Sequence, residues 1–259
     1  MPSSSHRASS RKRVWPLFPG IRLLYSLIHR NALRSRTAVG LACLLAVSLA
    51  FGQNAATQAQ STSQSQTEQR KTSTPYTGDL SIFDKPGRDQ RLQIERVMDL
   101  LGIAPGKTVA DIGAGSGWFT VRAARRVGES GKVFAVDINP EAADYVNERA
   151  KKENLHNIQT IVSKPDDPEL PATSTDAVLL LKTYHEVEHP ITLLQKLRPA
   201  LRPGAKVGVI DRAGNGEDHG INRDVVEREA AQAGYKLAGN YDFVKDEKSE
   251  YFLVFTVAQ

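Results

Sequence analysis

Apolar residues in this chain follow two rhythms. Short runs of strand type occur at Thr108 to Ile112, Lys132 to Asp137, Asn157 to Val162, Thr175 to Leu181 and Ala205 to Asp211. Between them the spacing changes to one helical face: Trp118, Phe119, Val121 and Ala124, then Ala143, Val146 and Ala150, then Leu193, Leu194 and Leu197, then Val226 and Ala230. The spacing of Ile94, Val97, Met98 and Leu101 predicts an earlier helix from about Asp89 to Leu101, ended by Gly102 to Lys107. Tyr235 to Phe243 and Glu250 to Val257 alternate apolar and polar, as an antiparallel pair does. Strands alternating with helices predict an α/β fold around a mostly parallel sheet. The nearly unbroken apolar run at Thr175 to Leu181 fits a strand covered on both faces.

Punctuation residues sharpen the ends. Asn139 caps a helix from Pro140 to about Asn154, with proline in its first turn. Pro190 opens a helix to Leu201, and Leu201-Arg-Pro-Gly204 reads as a turn. A helix from Arg223 to Ala233 ends at Gly234. Gly214 to Gly220 is a polar loop that includes His219.

The candidate chemistry begins where the first strand breaks into Gly113-Ala-Gly115-Ser-Gly117 and a helix resumes at Trp118. Glycines let a backbone turn tightly and approach a ligand closely. The helix start behind them offers unpaired N–H groups. A dinucleotide fingerprint needs G-x-G-x-x-G. Here the third glycine comes one residue early, and Asp111 stands two positions before the first. A carboxylate there repels a phosphate and attracts a cation. Asp111 through Gly117 resembles the first motif of the class I S-adenosylmethionine (SAM)-dependent methyltransferases, D/E-x-G-x-G-x-G. SAM carries an ammonium and a sulfonium and no phosphate. Leu201-Arg-Pro-Gly204 is similar to the family's turn before its fifth strand.

The resemblance covers about Leu92 to Ala258. It implies a three-layer, doubly wound, Rossmann-like sheet of seven strands in the order 3-2-1-4-5-7-6, the last antiparallel. It implies SAM as cofactor, bound by Asp111, Gly113, Ala114, Gly115, Asp137, Ile138, Asp166 and Lys182. Asp137 ends the second strand 20 residues after Gly117, where a carboxylate can accept both ribose hydroxyls. In the family an acidic residue after the third strand lies near the adenine amino group. Asp166 is the candidate, and Pro165 leaves the choice between Asp166 and Asp167 open. The helix before the first strand covers the SAM site in the family, so Phe83 to Arg88 are candidates for a lid. Asp211 and Arg212 end the fifth strand close to the expected site.

Thr183-Tyr-His-Glu-Val-Glu-His-Pro190 leaves the fourth strand at the topological switch point. His185 to His189 spells H-E-x-x-H, a zinc-protease signature that works only on a helix. Here it comes directly after a strand, and Pro190 biases His189 away from helical geometry. His and carboxylate together can also hold a divalent ion that assists methyl transfer. The preferred reading uses no metal: Tyr184, His185 and Glu186 line the substrate mouth, with His185 as general base because imidazole titrates near neutrality. His189 reads as a loop residue capping the next helix.

Composition narrows the partners. The formal net charge is +5, but residues 1–52 hold eight Lys or Arg and no acid, leaving 26 basic and 29 acidic residues in 53–259. No Lys/Arg run in the folded part suggests the basic patch that nucleic acid needs. The one cysteine, Cys43, lies in the leader, so disulfides, thiolate metal sites and thiol-dependent arsenic methylation are excluded beyond it. The expected partner is a small-molecule methyl acceptor. The alternatives are a SAM- or nucleoside-binding module without turnover, and a methyltransferase acting on protein or RNA. Residues 53–77 are Gln/Ser/Thr-rich and read as a disordered linker, leaving 78–259 as the SAM-binding domain.

Residues 1–52 form a basic leader around an apolar run, Ala38 to Phe51. About fourteen residues suit a signal-peptide core better than a spanning helix, which needs about twenty. Either a cleaved signal or an uncleaved anchor exports the domain behind it, and an anchor is then the only membrane contact; a start downstream of Met1 would leave the domain in the cytoplasm, where SAM is made. N-terminal sequencing of protein from fractionated cells checks this. A new terminus at Gln53 marks cleavage, and an intact leader in the membrane fraction marks an anchor.

Overall fold

The computed structural model describes residues 70–246 and 248–258. The leader and most of the linker lie outside the described residues. Seven strands form one sheet: β1 (Thr108–Ile112), β2 (Lys132–Asp137), β3 (Ile158–Val162), β4 (Thr175–Leu181), β5 (Leu201–Arg212), β6 (Tyr235–Tyr241) and β7 (Glu250–Val257). Their order is β3-β2-β1-β4-β5-β7-β6. The first five pair in parallel, and β7 runs antiparallel to both β5 and β6. This is the expected α/β sheet, strand for strand.

Strand periodicity sorts the core. Val109, Ala177, Leu179 and Ile210 face one side, and Ala110, Ile112, Val178 and Leu180 face the other. The first side is covered by α2 (Ile94–Leu101) and α3 (Trp118–Val127), with α4 (Pro140–Lys152) over β2 and β3. The second is covered by α5 (Pro190–Leu197) and α6 (Arg223–Gln232). Both faces of β4 are therefore dry, which explains its unbroken apolar run. Asn139 caps α4 as expected, its side chain accepting from the Glu141 N–H at 2.9 Å.

Three boundaries differ from the sequence reading. The helix expected over Asp89 to Leu101 is two helices, α1 (Arg88–Leu92) and α2, because Gln93 adopts a left-handed conformation at φ 48°. The break turns α1 so that Arg88 and Arg91 both reach Asp246. Leu201 to Gly204, expected as a turn, belongs to β5: Leu201 pairs with Thr175 before a register shift, drawn in by burial of its side chain. The linker expected through residue 77 stops earlier. Arg70 pairs with Glu229 at 2.8 Å, and Ser73 is buried with its hydroxyl on the Gly216 carbonyl at 2.7 Å. Two polar side chains thus tie down a segment that has too few apolar residues to pack by itself.

Leu179 lies in the middle of β4 and is fully buried. Leu179→Ala should cost about 2–5 kcal/mol through lost burial and the cavity left behind. Urea denaturation monitored by tryptophan fluorescence measures this.

Candidate active site

The carboxyl ends of β1, β2, β4 and β5 open into a cavity of about 870 Å³. Small-molecule sites span about 300–1,000 Å³. The turn after β1 forms one wall. The N–H groups of Gly113 and Ala114 donate to the Val136 carbonyl at 2.8 and 3.1 Å, bending the chain across the end of β2. Gly113 has φ 75°, and a Cβ there would lie 2.3 Å from Thr183. Gly117 has φ 70°, and a Cβ there would meet Val146 at 2.9 Å.

Asp137 ends β2 at the cavity. Its two oxygens accept from the Gly115 N–H and the Asn139 N–H, each at 2.9 Å. Each oxygen keeps a lone pair beyond that bond, so the group can still accept from a ligand hydroxyl. Ile138 and Ala114 also line the cavity.

Asp111 is buried beneath the turn and accepts from Thr120 Oγ1 at 2.6 Å. Burial pushes its carboxyl up to about 7, and the nearby Asp137 charge adds to the rise. A cation bound beside it would reverse that penalty.

The β4 loop supplies the polar end. Residues Tyr184–Glu186 form a 3-10 turn. His185 is buried, and its Nδ1 lies 2.9 and 3.0 Å from the two Asp211 oxygens. A carboxylate only accepts, so Nδ1 carries a proton and Nε2 is the nitrogen left for another partner. Asp211 also accepts from the backbone N–H groups of His185 and Arg212. Glu186 Oε1 lies 3.9 Å from His185 Nε2. Burial raises the Glu186 carboxyl to about 7, opposed by His185 and reinforced by Asp137 and Asp211. The His219 ring stands edge-on to His185, with centroids 5.9 Å apart.

Several expected site residues stand elsewhere. Tyr184 is fully buried away from the cavity, with its hydroxyl donating to Glu229 at 2.8 Å and its ring under Arg70. Burial and the Glu229 charge hold that phenol well above its ordinary range, so it is not a base at the mouth. Its large apolar ring draws it into the core. Asp166 points outward and pairs with Lys196 at 3.0 Å; the cavity wall there is Ser163, Lys164 and Pro165. Asp167 also faces Lys196, at 3.8 Å. Lys182 lines the cavity in a left-handed conformation, its amine 2.6 Å from Glu250 and 3.1 Å from Asp246. His189 occupies the cap position of α5 without a side-chain cap bond, so its expected capping role is positional only. The H-E-x-x-H spelling does not act as a unit, because Glu186 leaves the 3-10 turn for an extended Val187.

Sequence reasoning left three wall residues without a firm role. Phe83 lies against Gly115, Arg88 stacks on Trp118 at 4.5 Å, and His219 arrives on the loop after β5. The mixed aromatic and charged stretch 81–89 signalled the first two. Nothing in the spacing of His219 signals its approach to His185.

The sheet order and the carboxylate-led glycine turn define a class, and comparison with known proteins agrees. This chain carries a class I SAM-dependent methyltransferase domain: a family model described as a methyltransferase domain matches residues 109–204. A ubiquinone/menaquinone biosynthesis C-methyltransferase of Hydrogenovibrio crunogenus is 27% identical over 122 residues, 47% of this chain and 48% of that protein. A 2-phytyl-1,4-naphtoquinone methyltransferase of Trichormus variabilis is 30% identical over 122 residues, covering 47% and 53%. The chain thus spans about half the length of the curated relatives it matches. The crystal structure of a SAM-dependent methyltransferase from Aquifex aeolicus superposes with a TM-score of 0.63 at 25% identity, covering 69% of this chain and 97% of that one.

The raised Asp111 carboxyl makes stability depend on pH. Between about pH 4 and pH 7 the unfolded chain ionises this group while the folded protein keeps it protonated. The folded state then holds more protons, so stability falls as pH rises through that window and levels off above it. Asp111→Asn is neutral throughout. Its stability relative to the parent should grow between pH 5 and pH 8 in urea titrations; a constant difference would contradict the buried-carboxyl account.

Proposed function

We propose that the protein is an enzyme that transfers the methyl group of SAM to a small-molecule acceptor. The observation that carries this reading is one shared cavity. It joins the Asp111–Gly117 turn and Asp137 to the His185–Glu186 loop. The residues fit SAM by charge: carboxylates at the ends of β1 and β2 suit its ammonium and its ribose hydroxyls. When bound, SAM supplies a methyl group activated by its sulfonium. The chain's task is to hold and orient both molecules, since positioning the reacting atoms about 3–3.5 Å apart supplies most of the catalysis.

The acceptor side is supported by the wall opposite the turn. Leu181, Val187 and Leu193 provide apolar surface, and His185 provides the polar group that can activate an acceptor. The relatives include a ubiquinone/menaquinone biosynthesis C-methyltransferase and a 2-phytyl-1,4-naphtoquinone methyltransferase, and also proteins named for arsenite and for protein L-isoaspartate. With Cys43 as the sole cysteine, a thiol-based arsenic site has no residues in the domain, which favours the small organic acceptor. A SAM-binding module without turnover is the second reading, and the buried Asp211–His185 pair at the acceptor end argues against it.

Isothermal titration with SAM, with release of S-adenosylhomocysteine followed over a panel of acceptors, tests this. Binding with acceptor-dependent product supports the enzyme; binding without product on any acceptor supports the module. Asp137→Ala should weaken SAM binding by about 1.5–3 kcal/mol, the worth of hydrogen bonds to a charged group. Full affinity in that variant would remove Asp137 from the ribose site.

A further inference from the structure

We infer that His185, Glu186 and His219 form a divalent transition-metal site at the acceptor end of the cavity. One ligand atom from each lies within 4.8 Å of the other two. The proposal rests on the methyltransferase reading and deepens it: the imidazole lone pair first assigned to a proton is given to a metal ion.

Three observations carry it. The first is the donor set. Two imidazoles and one carboxylate match sites that keep coordination positions open for water or substrate. A zinc ion about 2.1 Å from each of three tetrahedral ligands sets them about 3.4 Å apart. His185 Nε2 and Glu186 Oε1 stand 3.9 Å apart, close to that spacing. His219 is the exposed member of the three.

The second is the support behind His185. The Asp211 carboxylate fixes the Nδ1–H tautomer and leaves Nε2 as the ligating atom. This carboxylate–histidine pairing orients a metal ligand and raises its basicity. Asp211 is itself fully buried and is locked by two backbone N–H groups, so the imidazole cannot rotate away without stranding a buried charge.

The third is the support behind His219. Its loop, residues 213–222, folds back through a bridge between Asn215 and Ile221. The His219 N–H donates to Ser73 Oγ at 2.9 Å, and Ser73 Oγ donates to the Gly216 carbonyl at 2.7 Å. His219 holds a left-handed φ of 59°. A buried serine from a distant segment thus fixes a strained histidine beside a buried one, an arrangement that simple loop closure does not require.

Such an ion acts on an acceptor that offers oxygen or sulfur. Coordination acidifies the acceptor O–H or S–H, and its proton leaves to water. The acceptor then lies at the fixed end of the cavity as an anion. The ligand class that fits is a phenol, an enol or a thiol able to coordinate through its reacting atom.

The test uses the untagged full chain after chelator treatment. Zinc sulfate titrated calorimetrically should bind one equivalent that His219→Ala and Glu186→Gln each weaken at least tenfold. His219 is exposed, so His219→Ala should fold as the parent does, which circular dichroism checks. Cobalt(II) chloride should give visible d–d bands that acetohydroxamate shifts, reporting the open positions. Zinc binding that is absent, or unchanged in both variants, overturns the proposal, as do cobalt bands that are blind to acetohydroxamate. SAM binding measured on the same samples tests the methyltransferase reading separately, so either can fail without the other.

Discussion

The backbone at the end of β1 must cross the end of β2 and pass under Thr183, and everything functional depends on that close approach. Two N–H groups of the turn share the Val136 carbonyl, which bends the chain before a helix can begin. Any side chain at position 113 would occupy the space of Thr183, and any at 117 would press on Val146. The turn is therefore bare backbone, and bare backbone is what leaves room for a ligand between β1 and β4. Asp137 then ties the turn to the start of α4 by accepting from Gly115 and Asn139. One carboxylate thus sets the shape of a wall while keeping capacity for a guest.

Negative charge is concentrated at the strand ends. Asp111, Asp137, Glu186 and Asp211 all line the same cavity. Asp111 and Asp211 are buried, and desolvation pushes Asp111 and Glu186 up toward neutrality. Buried carboxyls cost stability unless something cationic answers them. Asp211 is answered by an imidazole and backbone donors, and Asp111 in part by the Thr120 hydroxyl. What remains of the cost at Asp111, beyond the Thr120 hydroxyl and the nearby Arg88 charge, is what a cationic cosubstrate beside it would relieve. Gathering the titratable groups at the strand ends leaves the rest of the core apolar.

The segment from Arg70 to Ser73 connects this site to the far side of the sheet. Arg70 reaches Glu229 on α6 and the carbonyls of Tyr184 and Val187, on either side of the His185–Glu186 pair. Ser73 holds the His219 loop. Residues that look like linker in the sequence thus brace the two loops that carry the polar end of the cavity. Tyr184 belongs to this brace and not to the chemistry, since its hydroxyl and ring are both spent on Glu229 and Arg70.

The sequence alone determined the sheet and the glycine turn after β1. Strand and helix periods are local, and the Asp111–Gly117 turn is contiguous, so each could be read from neighbours in the chain. The cap at Asn139 and the carboxylate at Asp137 were legible for the same reason. Tertiary structure decided the acceptor end. His185 and His219 are separated by the whole of α5 and β5 and meet only because β4 and β5 are parallel neighbours with their carboxyl ends together. Tyr184 and His185 are adjacent in sequence, yet one is drawn into the core and the other is held at the cavity by Asp211. Asp166 is turned outward by Lys196, a contact 30 residues away. Local pattern fixes which element a residue joins; which way its side chain faces depends on partners that only the packed sheet brings within reach.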